Sequence, residues 1–146
     1  MKISTKGRYS LEAVLLLALN TANGTDAYLS TRQISRETGI SEGYLEQLFI
    51  LLRKSGIIQG IRGAQGGYFL EREPCDITIG EILRTAEASL KPVPCVEENY
   101  CPIEGVCTTH GTWAALYKSI NEFIDSLTIA DLVADYKKNS GGEYII

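Results

Sequence analysis

The chain has 146 residues, 45% of them hydrophobic, and a formal net charge of −4, which allows one sizeable core and excludes both a disulfide-stapled miniature and a uniformly basic nucleic-acid coat. The sum hides an asymmetry: residues 1–72 carry nine Lys or Arg against six Asp or Glu, and residues 73–146 carry five against twelve. The front half can face phosphate, and the back half is repelled by it.

Lys2, Lys6 and Arg8 precede the apolar run Ala13–Leu19, an arrangement that imitates a secretion signal. Glu12 directly before the run, and the polar stretch Asn20–Gly24 after it, read instead as a helix and its end. No apolar stretch approaches the roughly twenty residues of a membrane span, so a cytoplasmic protein without membrane contact is expected. Leu11, Val14, Leu15, Ala18, Leu19 and Ala22 recur at helical spacing and predict an amphipathic helix over 6–22 that Gly24 ends. Lys6 and Arg8 lie at its start.

Ser30 and Gln33 make a Ser-x-x-Gln capping box for a short helix to Thr38, stopped by Gly39, with Ile34 facing inward. Ser41 is an N-cap for a longer helix to about Ser55, closed by Gly56, with Tyr44, Leu45, Leu48, Phe49 and Leu52 on its buried side. Two helices joined at a glycine turn predict a helix-turn-helix. Glu42, Gly43, Glu46, Gln47, Ile50 and Arg53 remain outside on the second helix, where a recognition helix meets base edges. Gln47 can pair with adenine, and Glu46 can accept from the cytosine amino group. On their own these would be ordinary solvated residues.

The next stretch of chain favours the DNA-reading role. Ile57, Ile58 and Ile61 lead into Arg62-Gly63-Ala64-Gln65-Gly66-Gly67, and Tyr68-Phe69-Leu70 returns, so a hairpin with a glycine-rich tip is expected. A hairpin after a helix-turn-helix is a wing, and Arg62 at its tip suits a narrow minor groove. The glycines also resemble a phosphate cradle, but no Gly-Lys-Ser/Thr follows them and no parallel-sheet unit surrounds them. No catalytic constellation emerges, and an enzyme is not expected.

Thr78 and Glu81 form a further capping box, for a helix to about Ser89 that Lys91-Pro92-Val93-Pro94 breaks. Cys75 beside Pro74 reads as a small buried hydrophobe. Cys95, Cys101 and Cys107, each separated from the next by five residues, and His110, the only histidine, then fall within sixteen residues. Thiolate and imidazole suit zinc or an iron-sulfur cluster. The gaps are wider than the knuckles of structural zinc sites, and a cluster tolerates loosely spaced loop ligands. Zinc and unliganded redox thiols stay open as alternatives, whereas disulfides suit an oxidising compartment that nothing here suggests. Cys107 and His110 are expected on or just before the first turn of the next helix, where free N–H groups favour thiolate. That helix carries Trp113, Leu116, Tyr117, Ile120, Phe123, Ile124 and Leu127, a stripe suited to a second copy of the same helix. Thr128 and Asp131 restart a short helix to about Tyr136.

Four stretches together resemble the Rrf-two family of bacterial winged-helix transcription regulators: Ser4-Thr5-Lys6-Gly7-Arg8-Tyr9, Tyr44-Leu45-Glu46-Gln47-Leu48, the wing Arg62-Gly63-x-x-Gly66-Gly67-Tyr68, and Leu127-Thr128-Ile129-Ala130-Asp131-Leu132. The three cysteines and the histidine resemble its IscR-like iron-sulfur branch. The resemblance implies a mainly α fold: a winged helix-turn-helix DNA-binding domain over 1–90, a cluster-binding loop over 91–111, dimerisation helices over 112–137 and a flexible tail over 138–146. It implies a homodimer crossed through a long helix at about 108–127, and a 2Fe-2S cluster on Cys95, Cys101, Cys107 and His110. Glu46, Gln47 and Arg62 match the family's base-reading and minor-groove positions. The DNA-facing set expected is Lys6, Arg8, Ser41, Glu42, Gly43, Tyr44, Glu46, Gln47, Arg62, Gly63 and Gln65. Gly43 stands where relatives carry a small hydroxyl residue, so their operator does not transfer. The reading implied is a repressor on a pseudo-palindromic double-stranded operator, controlled by cluster occupancy. An electron carrier would not need the DNA-binding head.

Overall fold

The computed structural model describes residues 2–22, 28–64, 66–96 and 107–141. Along the chain these form α1 (Thr5–Ala22), α2 (Thr31–Thr38), α3 (Glu42–Lys54), β1 (Ile58–Ile61), β2 (Gly67–Leu70), α4 (Ile79–Ala86), α5 (His110–Ser126) and α6 (Ile129–Gly141). The fold is a mainly helical winged helix-turn-helix with helices α5 and α6 appended.

The buried positions of α1 are Gly7, Ser10, Ala13, Val14, Leu17 and Ala18. The periodicity puts Leu11, Leu15, Leu19 and Ala22 on that stripe as well, but the three leucines are only partly buried and Ala22 is exposed. α1 packs against α4, α6, β2 and α2, so its small residues mark close approaches and its larger ones fill the flanks. The stop expected at Gly24 lies outside the described residues.

The helix-turn-helix follows its local rules. Ser30 Oγ accepts the Gln33 N–H at 3.1 Å, and the Gln33 side chain accepts the Ser30 N–H at 2.8 Å, completing the box. Gly39 sits at φ 78°, where a side chain is disfavoured, and ends α2. Ser41 Oγ accepts the Tyr44 N–H at 3.2 Å and opens α3, whose Leu45, Leu48, Phe49 and Leu52 enter the core. At the far end Gly56, also at φ 78°, donates to Arg53 O, and Ile57 N–H reaches back to Leu52 O, both at 3.0 Å. This is the paired closure of a Schellman motif, with buried Ile57 and Leu52 as its apolar contact.

β1 and β2 are antiparallel, pairing Ile58 with Leu70 and Ile61 with Gly67. A third segment joins the wing, because Leu29 exchanges backbone hydrogen bonds with Tyr68 at 2.9 and 2.7 Å. The Tyr68 ring lies 4.4 Å from that of Phe49, so the wing is seated on α3.

α4 departs from expectation at both ends. Thr78 Oγ accepts the Glu81 N–H at 3.1 Å, but the Glu81 carboxylate pairs with Arg72 instead of turning back to complete a box. The helix ends at Ala86, three residues before Ser89, because Glu87 adopts extended backbone (ψ 140°) and its carboxylate accepts from Ser4. Leu90 then re-enters the core, 5% exposed. Cys75, expected to be buried, is exposed: Pro74 opens a 3-10 turn, Pro74–Asp76, none of whose residues is buried.

Two backbone bonds, Ile79 N–H to Leu127 O and Ile129 N–H to Ile77 O, both 2.9 Å, tie the entry of α4 to the entry of α6. Arg84 adds a side-chain link from α4 to α5, donating to both carboxylate oxygens of Asp125 at 2.7 and 2.9 Å and to Asn121 at 2.8 Å. Within α5 only Ile124 is buried, while Trp113, Leu116 and Phe123 are 37%, 42% and 63% exposed. Thr128 and Asp131 make a reciprocal cap, at 2.9 and 3.2 Å, for α6. That helix passes Tyr136 and continues to Gly141, so the expected tail begins inside a helix. Residues 137–140 contain no breaker, and Lys138 in the last turn complements the dipole. Among the described residues no helix is long and apolar enough to cross a membrane.

Candidate nucleic-acid interface and cysteine loop

The Ser41 cap starts α3 at the surface, and the helix turns its apolar residues to the core, leaving Glu42, Gly43, Glu46, Gln47, Ile50 and Arg53 exposed together. Ile50, at 66% exposure, is a large apolar side chain on that outer face. Tyr44 is half-buried, its ring edge-on to Tyr9 at 5.6 Å and 82°, so its role is split between packing and surface. At the wing tip Arg62 and Gly63 are exposed; Gly63 has φ 115°, and its carbonyl accepts the Gly66 N–H at 3.0 Å to close the turn. Gln65 lies outside the described residues. Lys6 and Arg8 are exposed on the first turn of α1, with Arg8 donating to Thr5 Oγ1 at 3.3 Å.

The fold adds two cations to this set. Arg32 and Arg53 join Arg62 around a concavity of about 360 Å3 between the start of α2, the end of α3 and the wing, and among the described residues no carboxylate lines it. Ser30 and Thr31 at the α2 start, with Gly60 and Tyr68 of the wing, also line it. Three arginines lining one concavity make it suited to anionic oxygens. The sequence carries this signal only piecemeal, as one arginine after a cap and one on the open face of α3. The folding back of the hairpin is what joins them to Arg62.

The cysteine loop is anchored at both ends. Cys95 lies in a short 3-10 turn, Pro94–Val96, that packs against α5. Its Sγ is 3.5 Å from Nδ1 of His110, the first residue of α5. Cys107 stands just before that helix, with Sγ 3.7 Å from Thr109 Oγ1. The Thr109 backbone N–H and then its hydroxyl, with a lesser part from the His110 N–H, hold the Cys107 thiol below its ordinary range against desolvation. Thr109 Oγ1 also accepts the Trp113 indole N–H at 3.2 Å. Cys101 lies outside the described residues. Among the described residues no three His, Cys, Asp or Glu side chains converge, so the structure brings together two of the four expected ligands.

A family profile, Rrf2, described as an iron-dependent transcriptional regulator, matches residues 3–135. The HTH-type transcriptional regulator IscR of Klebsiella pneumoniae is 35% identical over 91% of this chain and 80% of its own length. The structure of T. potens IscR matches with a TM-score of 0.74 at 40% identity, covering 94% of this chain and 90% of its own. CymR, described as the global cysteine regulator of B. subtilis, matches with a TM-score of 0.74 at 38% identity, over 92% of this chain and 97% of its own. The matched proteins are named as regulators rather than enzymes. A winged head with an exposed reading helix, the family profile across most of the chain and these relatives agree: the chain belongs to the Rrf2 family of transcriptional regulators.

Proposed function

We propose that this chain is a homodimeric cytoplasmic repressor whose hold on a double-stranded operator is set by an iron-sulfur cluster, of the 2Fe-2S type, on Cys95, Cys101, Cys107 and His110. The observation that carries this reading is the approach of Cys95 Sγ to His110 Nδ1 at 3.5 Å across fifteen residues of chain. The donor set fits the group: soft thiolate and imidazole, with Cys107 biased towards thiolate at the start of α5. Relatives named IscR support it. When bound, such a cluster supplies a tie across the loop that iron supply and oxidants can break.

The chain's own residues account for the rest. Cys95 ends the segment that leaves α4, and His110 begins α5, so ligation by both fixes the start of α5 against the DNA-binding head. The exposed Trp113, Leu116 and Phe123 are covered by α5 of a second copy, and the pair of heads spans half-sites about one helical turn, roughly 34 Å, apart. Gln47 and Glu46 read base edges, Arg62 enters the minor groove, and Lys6 and Arg8, with the start of α3 from Ser41 to Tyr44 and the wing residues Gly63 and Gln65, set the register on the backbone.

Anaerobic purification tests the centre: a brown protein carrying iron and acid-labile sulfide supports it, and a colourless protein with stoichiometric zinc overturns it. Footprinting the loaded and stripped forms on genomic DNA tests the regulation. Identical footprints and affinities would refute it. Arg62→Ala weakens operator binding, and unchanged binding at physiological salt would remove the wing from the interface.

A second reading, thiol sensing without a metal, is favoured by the exposed Cys75, the stabilised Cys107 thiolate and the CymR likeness. It expects a colourless, metal-free protein whose DNA affinity responds to thiol oxidants.

A further inference from the structure

Glu87 joins two parts of the chain that are far apart in sequence. One carboxylate oxygen, Oε1, accepts both the backbone N–H and the hydroxyl of Ser4, each at 2.7 Å and across 83 residues. Ser4 Oγ in turn accepts the Gly7 N–H at 3.3 Å, and Ser4 O accepts the Arg8 N–H at 3.1 Å. Glu87 therefore holds the cap of α1, and its negative charge stands at the positive end of that helix.

Gly7 lies against the same contact. Glycine inside a helix is unfavourable by about 1 kcal/mol relative to alanine, yet a Cβ at position 7 would lie 2.3 Å from Glu87 Oε1. Lys6 and Arg8 flank Gly7, and both are exposed. A carboxylate held against position 7 on the inner side sets how the two cations are presented on the outer side.

We propose that Glu87 is a positioning residue for DNA binding, orienting the first turn of α1 so that Lys6 and Arg8 reach the phosphate backbone together. This rests on the assignment of Lys6 and Arg8 to the DNA face. Glu87 touches no DNA itself, and a residue that only supported the fold would lower stability without changing the number of phosphates contacted. The salt dependence of binding separates the two roles, since its log–log slope counts those contacts at about 0.9 per phosphate.

The experiment uses the full-length protein and a duplex that the wild type selects from a random pool. Glu87→Ala lowers the slope by roughly two per protomer and weakens binding by well over about tenfold at physiological salt. Glu87→Gln keeps an amide oxygen for both Ser4 donors and retains the wild-type slope, which guards against misfolding as the explanation. In a Lys6→Ala/Arg8→Ala background, Glu87→Ala causes no further loss. An unchanged slope in Glu87→Ala, or an equal loss in both backgrounds, overturns the proposal. If Lys6→Ala/Arg8→Ala alone leaves the slope unchanged, the proposal falls with the α1 assignment, while Arg62→Ala reports separately whether the wing still binds DNA.

Discussion

Replacing Gly67 by alanine tests how the wing is seated. A Cβ there would lie 2.4 Å from Leu29 O and 2.6 Å from Leu29 C, which are backbone atoms and cannot rotate away. Ordinary contact requires a retreat of roughly 1 Å. The segment that must move makes the two bonds between Leu29 and Tyr68, at 2.9 and 2.7 Å, and a shift of that size takes both beyond hydrogen-bonding distance. At about 0.5–1.5 kcal/mol each, their loss costs about 2 kcal/mol. The stiffer unfolded chain of the variant returns about 0.5 kcal/mol, leaving a net destabilisation of about 1.5 kcal/mol. Gly67 is not among the residues with positive φ, so backbone strain does not confuse the result. With a urea m-value of about 2 kcal/mol/M, the midpoint falls by about 0.7 M at fixed protomer concentration. Operator affinity falls with it, since Arg62 sits on the displaced wing. A midpoint that is unchanged or raised would refute the claim that Leu29 holds the wing in place.

The same substitution at Gly43 has the opposite sign, because nothing lies within 4 Å of a Cβ there. Gly43→Ala raises the urea midpoint by the equivalent of about 0.5 kcal/mol through helix propensity, and a lowered midpoint would show that the position is not open. For Asp125, the Arg84 side-chain hydrogen bond holds the carboxyl below its usual range. A depressed carboxylate stabilises the fold above the unfolded value of about 3.9 and loses that contribution as pH falls through the folded value. Asp125→Asn therefore narrows the stability difference between pH 6 and pH 3. With the two side chains 43% and 47% exposed, the change stays under about 1 kcal/mol, and identical pH profiles in chemical denaturation would count against the fork. Alkylation of Cys107 by iodoacetamide, followed by mass spectrometry of its peptide, reaches half its maximal rate at a lower pH than a free thiol does. Thr109→Ala moves that midpoint upward, and no movement would remove the hydroxyl as a cause.

The elements legible in the sequence are those whose signals are local. Ser30 with Gln33, Gly39, Ser41 and Gly56 each act within one helical turn, and each performs the expected backbone task. Errors arise where a distant residue competes for the same group. Glu81 is taken by Arg72 rather than by its own cap, and Glu87 is drawn from α4 by Ser4, which shortens that helix. No periodicity reports such partners. Likewise, the chemistry of a lone cysteine points to burial at Cys75, whereas its exposure follows from the surface turn that Pro74 begins. The arginine-lined concavity is invisible in the sequence for the same reason: its members come together only when the hairpin folds back on α3. In the cysteine loop Cys95 Sγ approaches His110 Nδ1, a contact the spacing alone does not report, and Cys101 lies outside the described residues.

The paired backbone bonds between residues 77–79 and 127–129 have a consequence for how this architecture can vary. They pinch the chain so that the stretch between them, in which α4 packs into the head and α5 follows, begins and ends at one point of the head. Lengthening such a stretch costs little, because closure entropy grows only with the logarithm of its length. New chemistry can therefore be grafted between α4 and α5 while both ends of the stretch stay tied to the head. A single reader can thus be paired with whatever input its regulon demands.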